Sequence, residues 1–266
     1  MKYITITSLS NPLIKETLKL KKRSDRRGPF LIEGPHLIEM ALAAKAGVQR
    51  VLFTEEFSSK REGQLLVRSI AKGTTQLIET SLPILSKIAD TETPQGIIAL
   101  VSYPSPALDE INFKAAPLLV VCDGIQDPGN LGTIIRAADA AGADAVIILP
   151  GTCDTFMPKA IRATAGSLFN VPVVFSEPDA LVSYLDSRKI ALCAADVHAS
   201  LSVFDVDFRQ PIAVAFGNEA HGISDNVLKK ATIVAKVPII GKAESLNVAM
   251  AASVCLYEAV RQRFYK

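Results

Sequence analysis

The sequence has no tryptophan, three histidines and four cysteines in 266 residues, and each scarcity removes a class of function. His36, His198 and His221 stand without the spacing of metal ligands, so no metal is expected. Cys122, Cys153, Cys193 and Cys255 are widely separated and form no C-x-x-C pair. Three of them sit inside apolar runs, so they read as buried thiols of a reducing cytoplasm. No segment is apolar over the length of a membrane span, and "MKYITITSLSNPLIK" has no apolar core behind a charged start; export and membrane insertion are not expected. G-x-G-x-x-G, G-x-x-x-x-G-K-[ST] and G-x-S-x-G are all missing, which removes the usual dinucleotide and triphosphate cradles and the hydrolase elbow. Net charge is only +2, so a polyanionic partner has to be met by a local basic patch.

One such patch is present. Lys15, Lys19, Lys21, Lys22, Arg23, Arg26 and Arg27 crowd the first segment against Glu16 and Asp25. A solvated helix face explains them as well as an RNA contact does.

Short β-branched runs alternate with helical patterns throughout, which predicts α/β architecture with a mainly parallel sheet in each of two units. The first unit has strands "FLIEG", "RVLFTE", "TQLIET" and "GIIALVS"; the second has "PLLVVC", "AVIILP", "VPVVF", "KIALCAAD", "PIAVAF" and "ATIVAKVPI". Between them lies a proline-bearing stretch of weak periodicity, so the division is residues 1–104, a linker over 105–116, and 117–266.

In open α/β sheets ligands bind beyond the carboxyl ends of the strands, and three turns there carry polar residues. The first, "DGIQDPGNLGTIIRAADAAG", leads into a helix whose packed face is Leu131, Ile134, Ile135, Ala138 and Ala141. Arg136 lies off that stripe, free for a site or for a pair with Asp139, and Asn130 stands at or near the N-cap. The second, "AFGNEAHGIS", brackets Asn218, Glu219 and His221 between Gly217 and Gly222. Glu219 is not needed to cap the next helix, and a lone carboxylate there needs a partner. In the third, "VPIIGKAESLNVAMAASVCLYEAVRQRF", Ser245 or Asn247 opens a long helix, and a cap at Ser245 leaves Asn247 in a first turn that its propensity does not favour. Val248, Met250, Ala251, Val254, Cys255, Tyr257 and Ala259 give that helix more apolar surface than one sheet face covers.

"DPGNLGTIIRAADAAGADAVIILP", "AVAFGNEAHGIS" and "VPIIGKAESLNVAMAASVCLYEAVRQR" resemble, in order and spacing, the three signature motifs of the SpoU/TrmH-type RNA ribose 2′-O-methyltransferases of the SPOUT class. "SNPLIKETLKLKKRSDRRGPFLIEGPHLIEMAL" and "TPQGIIALV" resemble the substrate-binding domain that precedes it in ribosomal-RNA-modifying members. The resemblance implies a trefoil-knot catalytic domain behind a smaller α/β/α ribosomal-protein-like domain, S-adenosylmethionine as methyl donor, a homodimer and 23S ribosomal RNA as substrate. It places Asn130, Arg136, Glu219, Ser245 and Asn247 at catalytic positions, and Gly217, Val237, Ile239 and Leu246 where the donor is held. The competing expectations are a non-catalytic RNA-binding protein of the same fold, the same reaction on transfer RNA, and a small-molecule α/β enzyme. The last of these leaves the basic segment unexplained.

Overall fold

The computed structural model describes residues 3–21, 28–103, 105–111, 113 and 115–265. Lys22, Arg23, Arg26 and Arg27 of the basic segment lie outside the described residues. The chain divides into two units, Met1–Pro104 with Phe156–Ile161, and Ser105–Thr155 with Arg162–Lys266.

The first unit runs β1 (Ile4–Ile6), α1 (Pro12–Lys21), β2 (Phe30–Glu33), α2 (Pro35–Ala43), β3 (Gly47–Phe53), α3 (Glu55–Ser59), α4 (Arg61–Ile70), β4 (Gln76–Thr80), α5 (Leu82–Ile88) and β5 (Ile97–Ser102). Its sheet has the order β1-β4-β3-β5-β2. β4 runs parallel to β1 and β3, whereas β5 is antiparallel to both β3 and β2. Four strands therefore run one way and β5 the other, so the expectation of a mainly parallel sheet holds in this unit except at β5. A buried run such as Ile97–Val101 has the same apolar pattern whichever way the strand points, so sequence periodicity carries no direction. Leu52, Ile78 and Ile98 from three strands meet Ile14, Ile84, Leu85 and Ile88 from two helices in one core.

The second unit runs β6 (Leu118–Asp123), α6 (Pro128–Ala140), β7 (Ala145–Ile148), the end of α7 (Pro158–Thr164, whose residues up to Ile161 belong to the first unit), β8 (Val173–Phe175), α8 (Pro178–Arg188), β9 (Ala191–Ala195), β10 (Leu201–Ser202), β11 (Ile212–Gly217), α9 (Asp225–Leu228), β12 (Ile233–Lys236) and α10 (Val248–Phe264). Among the described residues every pairing in its sheet, β10-β12-β9-β11-β6-β7-β8, is parallel. A parallel sheet needs cover on both faces, which is why β6 and β11 are buried at every position. Leu181 and Leu185 of α8 pack against Leu119, Val121, Ala213 and Ala215, while α10 lies against α6 and β11. Leu108, Ile111 and Phe113, in the stretch read as a linker, pack against this core as well.

From β6 the chain steps outward to β7 and β8, then returns to build β9, β10, β11 and β12 on the other side. The crevice at the carboxyl ends of β6 and β11 is thus the switch point of the sheet, the place where α/β proteins put ligands. At the opposite rim the Arg263 guanidinium, near the end of α10, donates to the carbonyls of Ala116, Pro117, Phe208 and Gln210.

Candidate active site

β6 ends at Asp123, and the chain turns at Gly124, whose φ is +75°, before α6 begins. The N-cap of α6 is Asp127, not Asn130: Asp127 Oδ1 accepts from the Asn130 amide at 3.0 Å, and Pro128 occupies the first helical position. Relieved of capping, the Asn130 side chain donates from Nδ2 to Glu219 Oε1 at 2.8 Å and accepts at Oδ1 from Asn247 Nδ2 at 3.0 Å.

Asn247 is itself the N-cap of α10. Its Oδ1 accepts from the amides of Ala249 at 2.9 Å and Met250 at 3.4 Å. The placement of Asn247 inside the first helical turn is corrected accordingly, and so is Ser245 as the cap; Ser245 lies two residues upstream, exposed, on the wall of the cleft. With Asn247 Oδ1 committed to the helix, its amide nitrogen has to face Asn130, and both asparagine orientations follow from their partners.

Glu219 closes this chain of donors. Its Oε1 also accepts from the Asp127 amide at 3.3 Å and its Oε2 from the Gln126 amide at 3.1 Å. Partial burial pushes the carboxyl upward, but the hydrogen bonds from Asn130, Gln126 and Asp127 outweigh it and hold Glu219 below the usual carboxylate range. The partner that the sequence demanded for Glu219 is therefore the first turn.

Three side chains that the sequence reading left without a role tie these turns together. Asp123 is buried and its Oδ2 accepts from the Ser224 amide at 2.7 Å. Asn218 Nδ2 donates to the Gly124 carbonyl at 2.8 Å. Thr152 Oγ1 accepts from the Gly124 amide at 3.0 Å and donates to the Cys122 carbonyl at 3.0 Å. A carboxylate at the end of the buried run "PLLVVC" was the available signal for Asp123, since it has to be satisfied locally.

Beside Glu219 opens a cleft of about 590 Å³, lined among others by Gly217, Val237, Ile239, Ser245, Leu246 and Asn247. Gly217 serves the wall rather than the void: a Cβ there would stand 2.2 Å from Gly222 C and Ile223 N. Between β12 and α10, residues 237–246 make no backbone hydrogen bond to the described residues, leaving their amides and carbonyls open to a ligand.

Arg136 is the candidate that the chain does not bring into this cluster. It is exposed on α6 without a hydrogen bond or ion pair to the described residues, and Asp139, its suggested partner, accepts instead from Asn170 Nδ2 at 2.9 Å. Six residues on from Asn130, Arg136 points about 240° around the helix from it. Cys255 and Ala259, counted above among the surplus apolar surface of α10, face the core of their own unit. Among the described residues no group of three His, Cys, Asp or Glu is placed to hold a metal ion, and no helix is long and apolar enough to cross a membrane.

Residues 117–257 match the SpoU rRNA Methylase family and residues 11–99 the MRM3-like substrate binding domain. The chain is 35% identical over 254 residues to the 23S rRNA (guanosine(2553)-2′-O)-methyltransferase RlmP of Bacillus subtilis, covering 95% of this chain and 97% of that one. It is 33% identical to a 23S rRNA (uridine(2479)-2′-O)-methyltransferase of Streptomyces viridochromogenes, covering 91% and 86%. The crystal structure of the SpoU methyltransferase AviRb from Streptomyces viridochromogenes in complex with the cofactor AdoMet superposes with a TM-score of 0.89 at 32% identity, covering 96% of this chain and 99% of that one. With its three strand-end turns hydrogen-bonded into one polar cluster beside an open cleft, the chain belongs to the SpoU rRNA methylase family.

Proposed function

We propose that this protein transfers a methyl group from S-adenosylmethionine to a ribose 2′-hydroxyl of 23S ribosomal RNA. The observation that carries the reading is the directed chain Asn247 to Asn130 to Glu219, set at the switch point of the sheet and bordering the cleft.

The residues of the cleft suit the donor. Val237, Ile239 and Leu246 offer apolar contact to a flat base, and the unpaired amides and carbonyls of residues 237–246 can read its edge. Ionised Glu219 adds negative potential that favours a cationic ligand. The donor supplies an electrophilic methyl group, so the protein has to orient and activate the hydroxyl. Asn130 and Asn247 each keep one amide hydrogen beyond the bonds described, and these orient the ribose or the donor. Ser245 contributes a further hydroxyl at the same wall. A guanidinium offers donors and no acceptor, so the role of Arg136 is to stabilise charge developing on the 2′-oxygen rather than to act as the base.

Because Arg136 faces away from Asn130, it serves the site of a second copy, and the active form is a homodimer. Met250, Tyr257 and Phe264 support this: spaced seven residues apart on α10, they are 63%, 54% and 73% exposed. A closed two-fold contact through that stripe is the commonest form of soluble assembly. The reading extends to a trefoil knot where residues 237–247 leave the sheet beside the turn 218–222. It also takes residues 1–104 as the RNA-binding domain, 105–116 as linker and 117–266 as catalytic domain. Four unpaired thiols support a cytoplasmic site of action.

The test is incubation with methyl-labelled S-adenosylmethionine and ribosomal subunits from cells lacking the protein. Label in 23S rRNA at one nucleotide resistant to alkaline cleavage is expected. Absence of label, or label confined to transfer RNA, overturns the reading.

A further inference from the structure

Glu219 is held on a five-residue turn whose backbone makes two bonds across its neck, Asn218 N to Gly222 O at 2.8 Å and Gly222 N to Asn218 O at 2.9 Å. Two such bonds close the turn but leave its tilt against the neighbouring β6 turn undetermined. Asn218 supplies that constraint. Its Oδ1 accepts from the amides of Ala220 at 2.9 Å and His221 at 3.0 Å, fixing the inside of the turn. Its Nδ2 reaches across to the Gly124 carbonyl at 2.8 Å, fixing the outside. Every polar function of the side chain is thereby engaged except one amide hydrogen. Gly124 is a firm anchor, because its own amide is bound to Thr152 Oγ1, whose hydroxyl is bound to the Cys122 carbonyl.

We propose that Asn218 is a positioning residue for methyl transfer, acting by holding Glu219 in register with the amides of Gln126 and Asp127 and with the Asn130 side chain. The inference rests on the methyltransferase reading. It assigns a purpose to a side chain that lines the cleft but bonds to neither Asn130 nor Asn247. Glu219 accepts three donors, two amides of the β6–α6 turn and the Asn130 side chain of the first turn of α6, with distances from 2.8 to 3.3 Å. A tilt of the 218–222 turn by a fraction of an ångström lengthens all three together, and Asn130 then loses the acceptor that fixes its amide.

Two variants separate this role from a merely structural one. Asn218→Asp keeps the acceptors for Ala220 and His221 but removes the donor to Gly124; Asn218→Ser removes the same reach without adding charge. Both are expected to lower kcat by about tenfold, with little change in affinity for S-adenosylmethionine measured by calorimetry. In a double-variant cycle Asn218→Ser combined with Glu219→Gln is expected to be no slower than Glu219→Gln alone, because the first acts through the second. The Asn130 side-chain amide resonance should move in Asn218→Ser in the direction it moves in Glu219→Gln. Fully additive losses in the cycle, or an unmoved Asn130 resonance in a folded variant, overturn the proposal. The resonance needs no turnover: an unaltered protein that fails to methylate rRNA counts against the functional reading, while Asn130 still decides the role of Asn218. Should Asn218→Asp fail to fold, Asn218→Ser carries every measurement.

Discussion

Replacing Gly217 by alanine tests the scaffold of the site most directly, because the obstacle is main chain rather than a side chain that can rotate away. The added Cβ would lie 2.2 Å from Gly222 C and Ile223 N and 2.4 Å from Gly222 O. Ordinary carbon contact needs about 3.5 Å, so the 218–222 turn has to retreat by roughly 1 Å. That retreat costs the paired bonds between Asn218 and Gly222, at 2.8 and 2.9 Å, the Asn218 bond to Gly124 at 2.8 Å and the Ser224 bond to Asp123 at 2.7 Å. At about 1 kcal/mol net apiece, the loss reaches about 3–4 kcal/mol, and Glu219 leaves with the turn. Gly222→Ala is the comparison. Its φ is +73° but nothing lies within 4 Å of the added carbon, so only the left-handed strain of about 1–2 kcal/mol applies. Urea unfolding followed by calorimetric titration with S-adenosylmethionine should find Gly217→Ala the less stable by a clear margin and unable to bind the donor. A Gly217→Ala protein as stable as Gly222→Ala and binding the donor normally would refute the steric argument.

Arg136→Ala should lower kcat by more than about tenfold, a loss above roughly 1.4 kcal/mol, while calorimetric donor binding stays unchanged; smaller loss removes Arg136 from the chemistry. Glu219→Gln should be less stable than the parent at pH 7. The folded state holds this carboxyl low, so its contribution is present above the ordinary glutamate value of about 4.3 and lost as pH falls through the depressed value. The stability gap should therefore close on acidification below about pH 4, and a gap independent of pH contradicts it. Met250→Glu with Tyr257→Glu should reduce dimer content and activity together, as read by light scattering and turnover. A fully active monomer at micromolar concentration sinks both the interface and the shared site.

The three turns were legible because each polar cluster follows an apolar run and precedes a helical pattern, a conjunction that marks the carboxyl edge of a sheet. Their mutual bonding was not legible. Asn130 bonds to Glu219 and to Asn247 at separations of 89 and 117 residues, and no periodicity reports contacts at that range. The misplacement of the α6 cap had a readable remedy, since proline favours the first helical position and Pro128 puts the cap at Asp127. The direction of β5 had none. The three-residue β1 and the two-residue β10 were too short to show alternation.

Helix α10 is moored at both extremities, by Asn247 in the polar cluster and by Arg263 under the carbonyls of Ala116, Pro117, Phe208 and Gln210. Its 17 residues make a rod of about 25 Å. Ala116 and Pro117 lead into β6, so the guanidinium that seats the far end of the rod also fixes the chain at the entry of that strand. The aim of Asn247, and through it of Asn130, thus depends on a helix whose other end is fixed at the far edge of the same sheet.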